Sequence, residues 1–135
     1  RFVNAEDMME KNRNIEVEDG KLWAEGQIMM WKPERDGEQL TLSFHLDKPI
    51  PENRIGFTLA KMPEGGSISV WVNGKQVKIN DEEQVYLIQE FQTVLDNFFT
   101  EPVQLPEGEN EIVLVNRSDN PSAKIGLDFI WIKDE

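Results

Sequence analysis

The chain has 135 residues and a formal net charge of −12, with 39% hydrophobic and 30% charged residues. That length suits a single domain, and four Trp and seven Phe supply enough apolar surface for a core. The acidic balance, without a cluster of Lys and Arg, argues against nucleic acid as a partner. The absence of cysteine excludes disulfides, thiol catalysis and cysteine-based metal sites. No apolar run approaches the roughly 20 residues that cross a bilayer, so we expect no insertion into a membrane.

Short runs of alternating apolar and polar residues, separated by Gly, Pro, Asn and Asp, predict β-strands along most of the chain. In chain order the predicted strands cover residues 26–31, 39–46, 54–59, 67–72, 75–79, 99–105, 111–116 and 126–133. Asn73-Gly74 has the residues that a type I′ turn requires, so the fourth and fifth strands are predicted to form a hairpin. Because no βαβ unit repeats, the pattern favours an all-β fold, a single antiparallel β-sandwich over residues 1–135.

The segment from Asn80 to Phe98 fits two predictions. Its apolar residues recur at helical spacing, and Asn80 followed by Glu83 resembles a helix N-terminus, which predicts one short helix within residues 81–98. The run Val85-Tyr86-Leu87-Ile88 has high β-propensity, which predicts a short strand followed by a helical turn. The sequence leaves both open.

The closing segment, residues 125–134, predicts a buried strand that carries one carboxylate, Asp128, between Leu127 and Phe129. An ionised Asp in a core needs a cation or several hydrogen-bond donors. We therefore interpret Asp128 as either a metal ligand or a structural anchor that accepts backbone N–H bonds. We expect this strand to lie in the middle of a sheet.

Tryptophans at two places in the sequence are candidate binding platforms, because an indole that is not buried offers a flat apolar surface. Trp71 alternates with the apolar residues of its strand and should therefore point away from the core, as a platform or beneath a loop. Trp23 and Trp31 bracket a loop with Glu25 and Gln27, which is a second candidate platform. The alternative for these two tryptophans is packing in the core or at an edge.

Six segments occur in an order and at a spacing that match one known group of proteins: Ala5-Glu6-Asp7-Met8, Gly26-Gln27-Ile28-Met29-Met30-Trp31, Asp36-Gly37-Glu38-Gln39-Leu40-Thr41-Leu42-Ser43-Phe44, Val72-Asn73-Gly74-Lys75, Leu105-Pro106-Glu107-Gly108-Glu109-Asn110-Glu111-Ile112 and Gly126-Leu127-Asp128-Phe129-Ile130. In this respect the chain resembles galactose-binding-like (jelly-roll) β-sandwiches, namely carbohydrate-binding modules of families 6 and 35 and accessory domains of bacterial polysaccharide-degrading enzymes. The resemblance covers nearly the whole chain.

The resemblance also implies a structural calcium ion, which those modules hold between an acidic motif near the start and an Asp in the last strand. Glu6 matches the second acid of the opening motif, and Asp128 matches the last-strand Asp. Asn4 stands where the first Glu is expected, and calcium affinity falls as ligand charge is lost. The implied ligand set is Asn4, Glu6 and Asp128.

Catalysis has little support in the sequence. The one histidine, His45, lies on the polar face of a predicted strand, where we expect it to be solvated. No phosphate-binding loop, His-based metal motif or nucleophile elbow occurs. Asn116-Arg117-Ser118 fits a glycosylation sequon.

The resemblance thus implies a non-catalytic module that binds a polysaccharide or oligosaccharide and holds an attached glycan-active enzyme near it. The apolar face of a sugar ring would then pack against one of the two tryptophan platforms, and the polar side chains beside it, such as Glu25 and Gln27, would bond to the sugar hydroxyls. Such a module would belong to a larger secreted, periplasmic or cell-surface protein, and the start at Arg1, without an initiator Met or signal segment, agrees with that. Two other functions stay open. One is a purely structural sandwich that packs against a catalytic domain or mediates oligomerisation, and the other is a small glycan-active enzyme.

Overall fold

The computed structural model describes the backbone of residues 2–4, 15–19 and 27–133, and the side chains of residues 28–132. These residues form twelve strands and no helix. The strands are β1 (Phe2–Asn4), β2 (Ile15–Asp19), β3 (Gln27–Trp31), β4 (Gln39–Leu46), β5 (Ile50–Lys61), β6 (Ser67–Val72), β7 (Lys75–Val77), β8 (Val85–Tyr86), β9 (Val94–Phe99), β10 (Val103–Leu105), β11 (Gly108–Asn116) and β12 (Ile125–Lys133).

The described strands form two sheets that face each other across one core. The larger sheet has the order β10-β5-β12-β3-β2, with β1 paired to β12 and β9 paired to β5. The smaller sheet has the order β4-β11-β6-β7, with β8 paired to β6. Large apolar side chains from both sheets, such as Phe57, Leu127 and Leu114, are fully buried between them. The predicted antiparallel sandwich is confirmed, and the closing strand β12 does lie inside its sheet, between β5 and β3.

The predicted hairpin at Asn73-Gly74 is also confirmed. Both residues have positive φ, 49° and 84°, as a type I′ turn requires. The turn is anchored to β11, because the Asn73 side chain donates to Asn110 Oδ1 at 2.9 Å and accepts from the Glu111 N–H at 2.8 Å.

The helix predicted within residues 81–98 is wrong. Val85 and Leu87 are buried and Tyr86 is exposed, which is the alternation of a strand, and only the short strand β8 of the second prediction is present. Ile88 and Phe91, which a helix would place on its apolar face, are 55% and 95% exposed. Asn80 caps no helix; its Oδ1 accepts the Phe99 N–H at 2.9 Å. Pairing with the sheets, which satisfies the backbone, overrides the helical spacing.

The prediction of one continuous strand over residues 99–105 is wrong, because the chain there is divided between the end of β9 and β10. Proline at position 102 has no N–H to contribute to a ladder. Thr100 is fully buried and forms an isolated bridge with Ile79, two residues after β7, and its hydroxyl accepts the Ile55 N–H at 3.0 Å. The chain thus leaves the sheet at Phe99 and returns to it at Val103.

Four connections meet at one end of the sandwich, which we call the loop end: residues 32–38, 62–66, 87–93 and 117–124. Backbone hydrogen bonds join neighbouring connections. The Gly37 N–H donates to the Asn116 carbonyl at 2.7 Å, and the Lys124 N–H donates to the Glu64 carbonyl at 2.9 Å. The loop end is therefore an ordered surface that can carry a binding site.

Candidate functional site

The large exposed apolar side chains of the described residues all lie in or next to the loop-end connection 87–93. They are Tyr86, at the end of β8, and Ile88 and Phe91, within the connection. Phe91 is the extreme case, because its side chain is 95% exposed and its φ is 70°. A left-handed backbone costs a non-glycine residue about 1 kcal/mol. Packing explains neither the exposure of the Phe91 ring nor its left-handed backbone. A strained residue of this kind points to a functional role.

The segment that carries Phe91 is fixed by the chain beneath it. Leu87 is fully buried; its N–H donates to the Gly66 carbonyl at 2.8 Å, and its carbonyl accepts the Met62 N–H at 3.2 Å. A side chain at Gly65 would meet the Leu87 carbonyl oxygen at 1.6 Å, so the two segments touch through their backbones. The Gln89 N–H also donates to the Met62 carbonyl at 3.1 Å, so the segment is anchored up to two residues before Phe91.

Polar side chains accompany the ring at the loop end. In residues 117–124, the Ser122 N–H bonds to Asn120 Oδ1 at 3.0 Å, and the Asn120 N–H bonds to Ser118 Oγ at 3.2 Å. These bonds order the segment while the side chains of Asp119 and Asn120 stay exposed. An aromatic ring with carboxylates and amides at the same end of the sandwich suits a sugar, whose ring has an apolar face and whose hydroxyls need planar polar partners.

Trp71 points away from the core, as its position in the alternating pattern predicts. It is half-buried on the outward face of the smaller sheet, next to Val113 of β11 and Gln76 of β7. Its indole Nε1 is buried without a hydrogen-bond partner. A buried indole N–H without an acceptor is uncommon. Its role in carbohydrate binding stays a prediction.

The second predicted platform is not formed as expected. Trp31 is 1% exposed and belongs to the core between the sheets, so its ring is not available for stacking; the alternative of core packing is correct. The indole fills the core because β3 lies beside β12, inside the larger sheet. Gln27 is the first residue of β3. Trp23 and Glu25 lie outside the described residues.

Asp128 is 2% exposed and occupies a β-bulge, since Leu127 pairs with Leu59 and Phe129 pairs with Thr58. Strand β1 places Asn4 opposite Phe129, so the predicted meeting of the chain's start with its last strand is confirmed. Glu6 lies outside the described residues. Within those residues, no group of three or more His, Asp or Glu side chains is placed to hold a metal ion.

Two other sequence features have structural explanations. His45 is exposed, as expected, and its ring nitrogens lie 3.0 and 3.5 Å from carboxylate oxygens of Glu109 and Asp47. Asn116 of the sequon is fully buried, and its Nδ2 donates to the carbonyls of Arg35 and Ser118. The folded chain therefore has no room for a glycan at Asn116. The described residues contain no helix that could cross a membrane.

The fold is that of carbohydrate-binding modules. A family 35 module from Clostridium thermocellum matches with a TM-score of 0.68 and 18% identity, over 99% of this chain and 98% of the module. A family 36 module in complex with calcium and xylotriose matches with a TM-score of 0.62 and 13% identity, over 98% and 99%. A family 6 module that binds β-1,3-glucan, from Bacillus halodurans, has the same fold.

The same sandwich occurs inside larger enzymes. Paenibacillus xanthan lyase matches with a TM-score of 0.76 and 14% identity over 90% of this chain, which spans 12% of the lyase. No protein-family model and no curated protein matches the sequence. The resemblance to families 6 and 35 is thus confirmed for the fold.

Sequence reasoning missed Phe91 and Tyr86. Phe91 belongs to the helical pattern over residues 80–98, which predicts a buried apolar face, and Tyr86 belongs to the β-prone run Val85-Tyr86-Leu87-Ile88. A signal was present, because Phe91 stands between Glu90 and Gln92, in a polar stretch that separates two β-prone runs. An isolated aromatic residue in such a connection indicates an exposed ring.

Proposed function

We propose that the chain is a non-catalytic carbohydrate-binding module whose ligand lies across the ring of Phe91 at the loop end. The observation that carries this proposal is the 95% exposed aromatic ring on a strained but supported segment. The fold adds support, because it is shared over nearly the full length with modules that bind carbohydrate.

The chemistry of the loop end suits a sugar. The C–H face of a pyranose would pack on the ring of Phe91, and its hydroxyls would bond to the exposed polar side chains of Glu64, Glu90 and Asn120. Covering one face of a Phe ring removes part of an apolar area worth about 1.5–3 kcal/mol when fully buried. Loss of the ring should therefore weaken binding by roughly tenfold.

Affinity electrophoresis in gels containing soluble xylan, mannan, β-glucan or galactan tests this proposal. The wild-type chain should be retarded by at least one polysaccharide, Phe91→Ala should not be, and Phe91→Tyr should be. Ile88→Ala is the matched control, because it removes another exposed apolar side chain from the same segment but no ring. Equal retardation of Phe91→Ala and the wild type would show that Phe91 is not part of the binding site. No retardation of the wild type on any of these glycans would contradict the proposed carbohydrate binding.

We also propose that Asn4, Glu6 and Asp128 hold a structural calcium ion. Burial of Asp128 in a bulge and the register that brings Asn4 to the neighbouring strand support this site, as does the calcium of the family 36 module. A metal that binds only the native state raises the melting temperature. Calcium should raise the midpoint, chelator should lower it, and Asp128→Asn should abolish the difference; an unchanged midpoint in the wild type would exclude the ion.

The module is proposed to keep an adjoining catalytic domain close to its polysaccharide, in a secreted or cell-surface protein. The xanthan lyase, in which the same sandwich forms a small part of a long chain, supports this arrangement. The sequence of the complete gene tests it directly. A gene that encodes this sandwich alone would contradict the targeting role and leave carbohydrate binding to be judged separately.

A further inference from the structure

The turn between β6 and β7 contains the only Asn-Gly pair of the chain, Asn73-Gly74. In such a pair the backbone nitrogen of the glycine can attack the side chain of the asparagine, because glycine has no side chain that hinders the approach. Both residues are exposed, and a Cβ added at Gly74 would meet no atom within 4 Å. Water therefore reaches the whole turn.

The reaction that this pair allows replaces the side-chain amide of Asn73 by a carboxylate. The Gly74 nitrogen loses its proton and forms a bond to Asn73 Cγ, the bond from Cγ to Nδ2 breaks, and ammonia leaves with that proton. Water then opens the resulting succinimide ring at one or the other carbonyl carbon, which yields aspartate or isoaspartate. Water is the one co-reactant, so the reaction needs no oxidant or metal.

The backbone of the folded turn opposes this reaction. Asn73 has a φ of 49°, and a type I′ turn holds the ψ of its first central residue at about +30°. At that ψ the Gly74 nitrogen is nearly anti to Asn73 Cβ, whereas closure of the succinimide ring requires the two atoms to be nearly eclipsed. The bond to Cγ can therefore form only after the turn has opened.

The Asn73 side chain must also be released before it can react. Its Oδ1 accepts the Glu111 N–H at 2.8 Å, and its Nδ2 donates to Asn110 Oδ1 at 2.9 Å. Asn110 is 2% exposed, and its own Nδ2 donates to the carbonyls of Pro106 and Gly108 at 2.9 and 3.1 Å. These two bonds fix the Asn110 amide with its oxygen toward Asn73. Opening of the turn thus breaks contacts with a rigid partner.

We propose that Asn73-Gly74 is a site of spontaneous deamidation and that Asn110 sets its rate. Neither product can donate to Asn110 Oδ1 as the amide does, and isoaspartate also adds a carbon to the backbone of a two-residue turn. The modified hairpin therefore loses part of its anchor to β11. The turn lies at the end of β6 opposite the loop end, so this site is independent of Phe91.

Peptide mapping by mass spectrometry after incubation of the full chain at mildly alkaline pH tests the proposal. The reference is a synthetic peptide of residues 70–77, which has no partner for Asn73. Two hydrogen bonds should make the folded wild type slower than the peptide by about tenfold or more. Asn97 and Asn116, which precede Phe98 and Arg117, should stay unmodified in the same sample.

A matched pair of variants separates the role of Asn110 from general stability. Asn110→Ala and Asn110→Asp both lose the donors to Pro106 and Gly108, but the aspartate keeps an oxygen that can accept from Asn73. At a temperature below both melting midpoints, Asn110→Ala should deamidate several times faster than the wild type and Asn110→Asp at nearly the wild-type rate. Equal rates in the two variants, or a wild type as fast as the peptide, would overturn the proposal.

The effect of the modification on the fold is measured on the product itself. Ion exchange separates the deamidated chain, which carries one more negative charge, from the unmodified chain. The deamidated chain should melt at a lower temperature, as should Asn73→Asp, because the bond to Asn110 is lost. Identical melting of the modified and unmodified chains would contradict the predicted loss of the anchor.

Discussion

Substituting Gly65 by alanine tests whether two connections of the loop end, residues 62–66 and 87–93, can move apart without loss of stability. A Cβ at Gly65 would lie 1.6 Å from the Leu87 carbonyl oxygen and 2.6 Å from the Leu87 carbonyl carbon. Both are backbone atoms, so no side-chain rotation can relieve the contact. The two segments would have to separate by roughly 2 Å to reach an ordinary contact distance.

That separation breaks a defined set of hydrogen bonds. The Leu87 N–H bonds to the Gly66 carbonyl at 2.8 Å, and the Leu87 carbonyl accepts from Met62 at 3.2 Å; neither survives such a movement. Leu87 is fully buried, so water cannot replace these partners without opening the core. At about 1–3 kcal/mol for each of the two broken hydrogen bonds, the expected loss in the free energy of unfolding is roughly 2–6 kcal/mol.

Urea unfolding followed by tryptophan fluorescence measures this loss. With a typical slope of about 1–3 kcal/mol per molar urea, the midpoint of Gly65→Ala should fall by about 1 M or more. Gly66→Ala is the control, because its new Cβ would meet nothing nearer than Ala123 Cβ at 3.3 Å. It should change the stability by less than about 1 kcal/mol.

Similar midpoints for the two alanine variants would refute the reasoning, since only the backbone contact at Leu87 separates them. The same pair also connects fold with function. Where Gly65→Ala still folds, it should lose retardation on the glycan that the wild type binds, because the segment that presents Phe91 has moved. Gly66→Ala should keep it.

Three further changes have defined outcomes. Phe91→Gly should keep or raise the unfolding free energy by up to about 1 kcal/mol, because glycine tolerates the left-handed backbone, yet abolish glycan binding in affinity gels. Gly56→Ala would place a Cβ 2.4 Å from the Trp131 indole, so we expect a loss of about 1–3 kcal/mol in urea unfolding, and no loss would mean that the indole has another position. Asn110→Ala removes donors to the carbonyls of Pro106 and Gly108 and should cost roughly 1–3 kcal/mol, whereas a neutral result in thermal melting would show that water replaces the side chain.

The elements that the sequence predicted best depend on local rules. The predicted strands over residues 39–46 and 67–72 match β4 and β6 residue for residue, because strict alternation allows one register with the apolar face inside. The Asn73-Gly74 turn is equally local, since these two residues accept positive φ at little cost.

The segment between Asn80 and Phe98 shows where local rules fail. The same apolar residues fit either a helix or a short strand, an exposed connection and a second strand. The second arrangement forms because β8 pairs with β6 and β9 pairs with β5. A secondary-structure choice that depends on distant strands cannot be read from a window of neighbouring residues.

For the candidate site, too, some features follow from the sequence and others are visible only in the structure. The sequence by itself determined the β-sandwich and the outward direction of Trp71, because alternation along the strands fixes them. The resemblance implied that the chain's start lies near the last strand, and the bulge at Asp128 is visible only in the structure. Only the tertiary structure decided which aromatic ring is available. Trp31 is buried and Phe91 is exposed because burial depends on what packs across the sheet or loop from each ring, and those neighbours lie far away in the sequence.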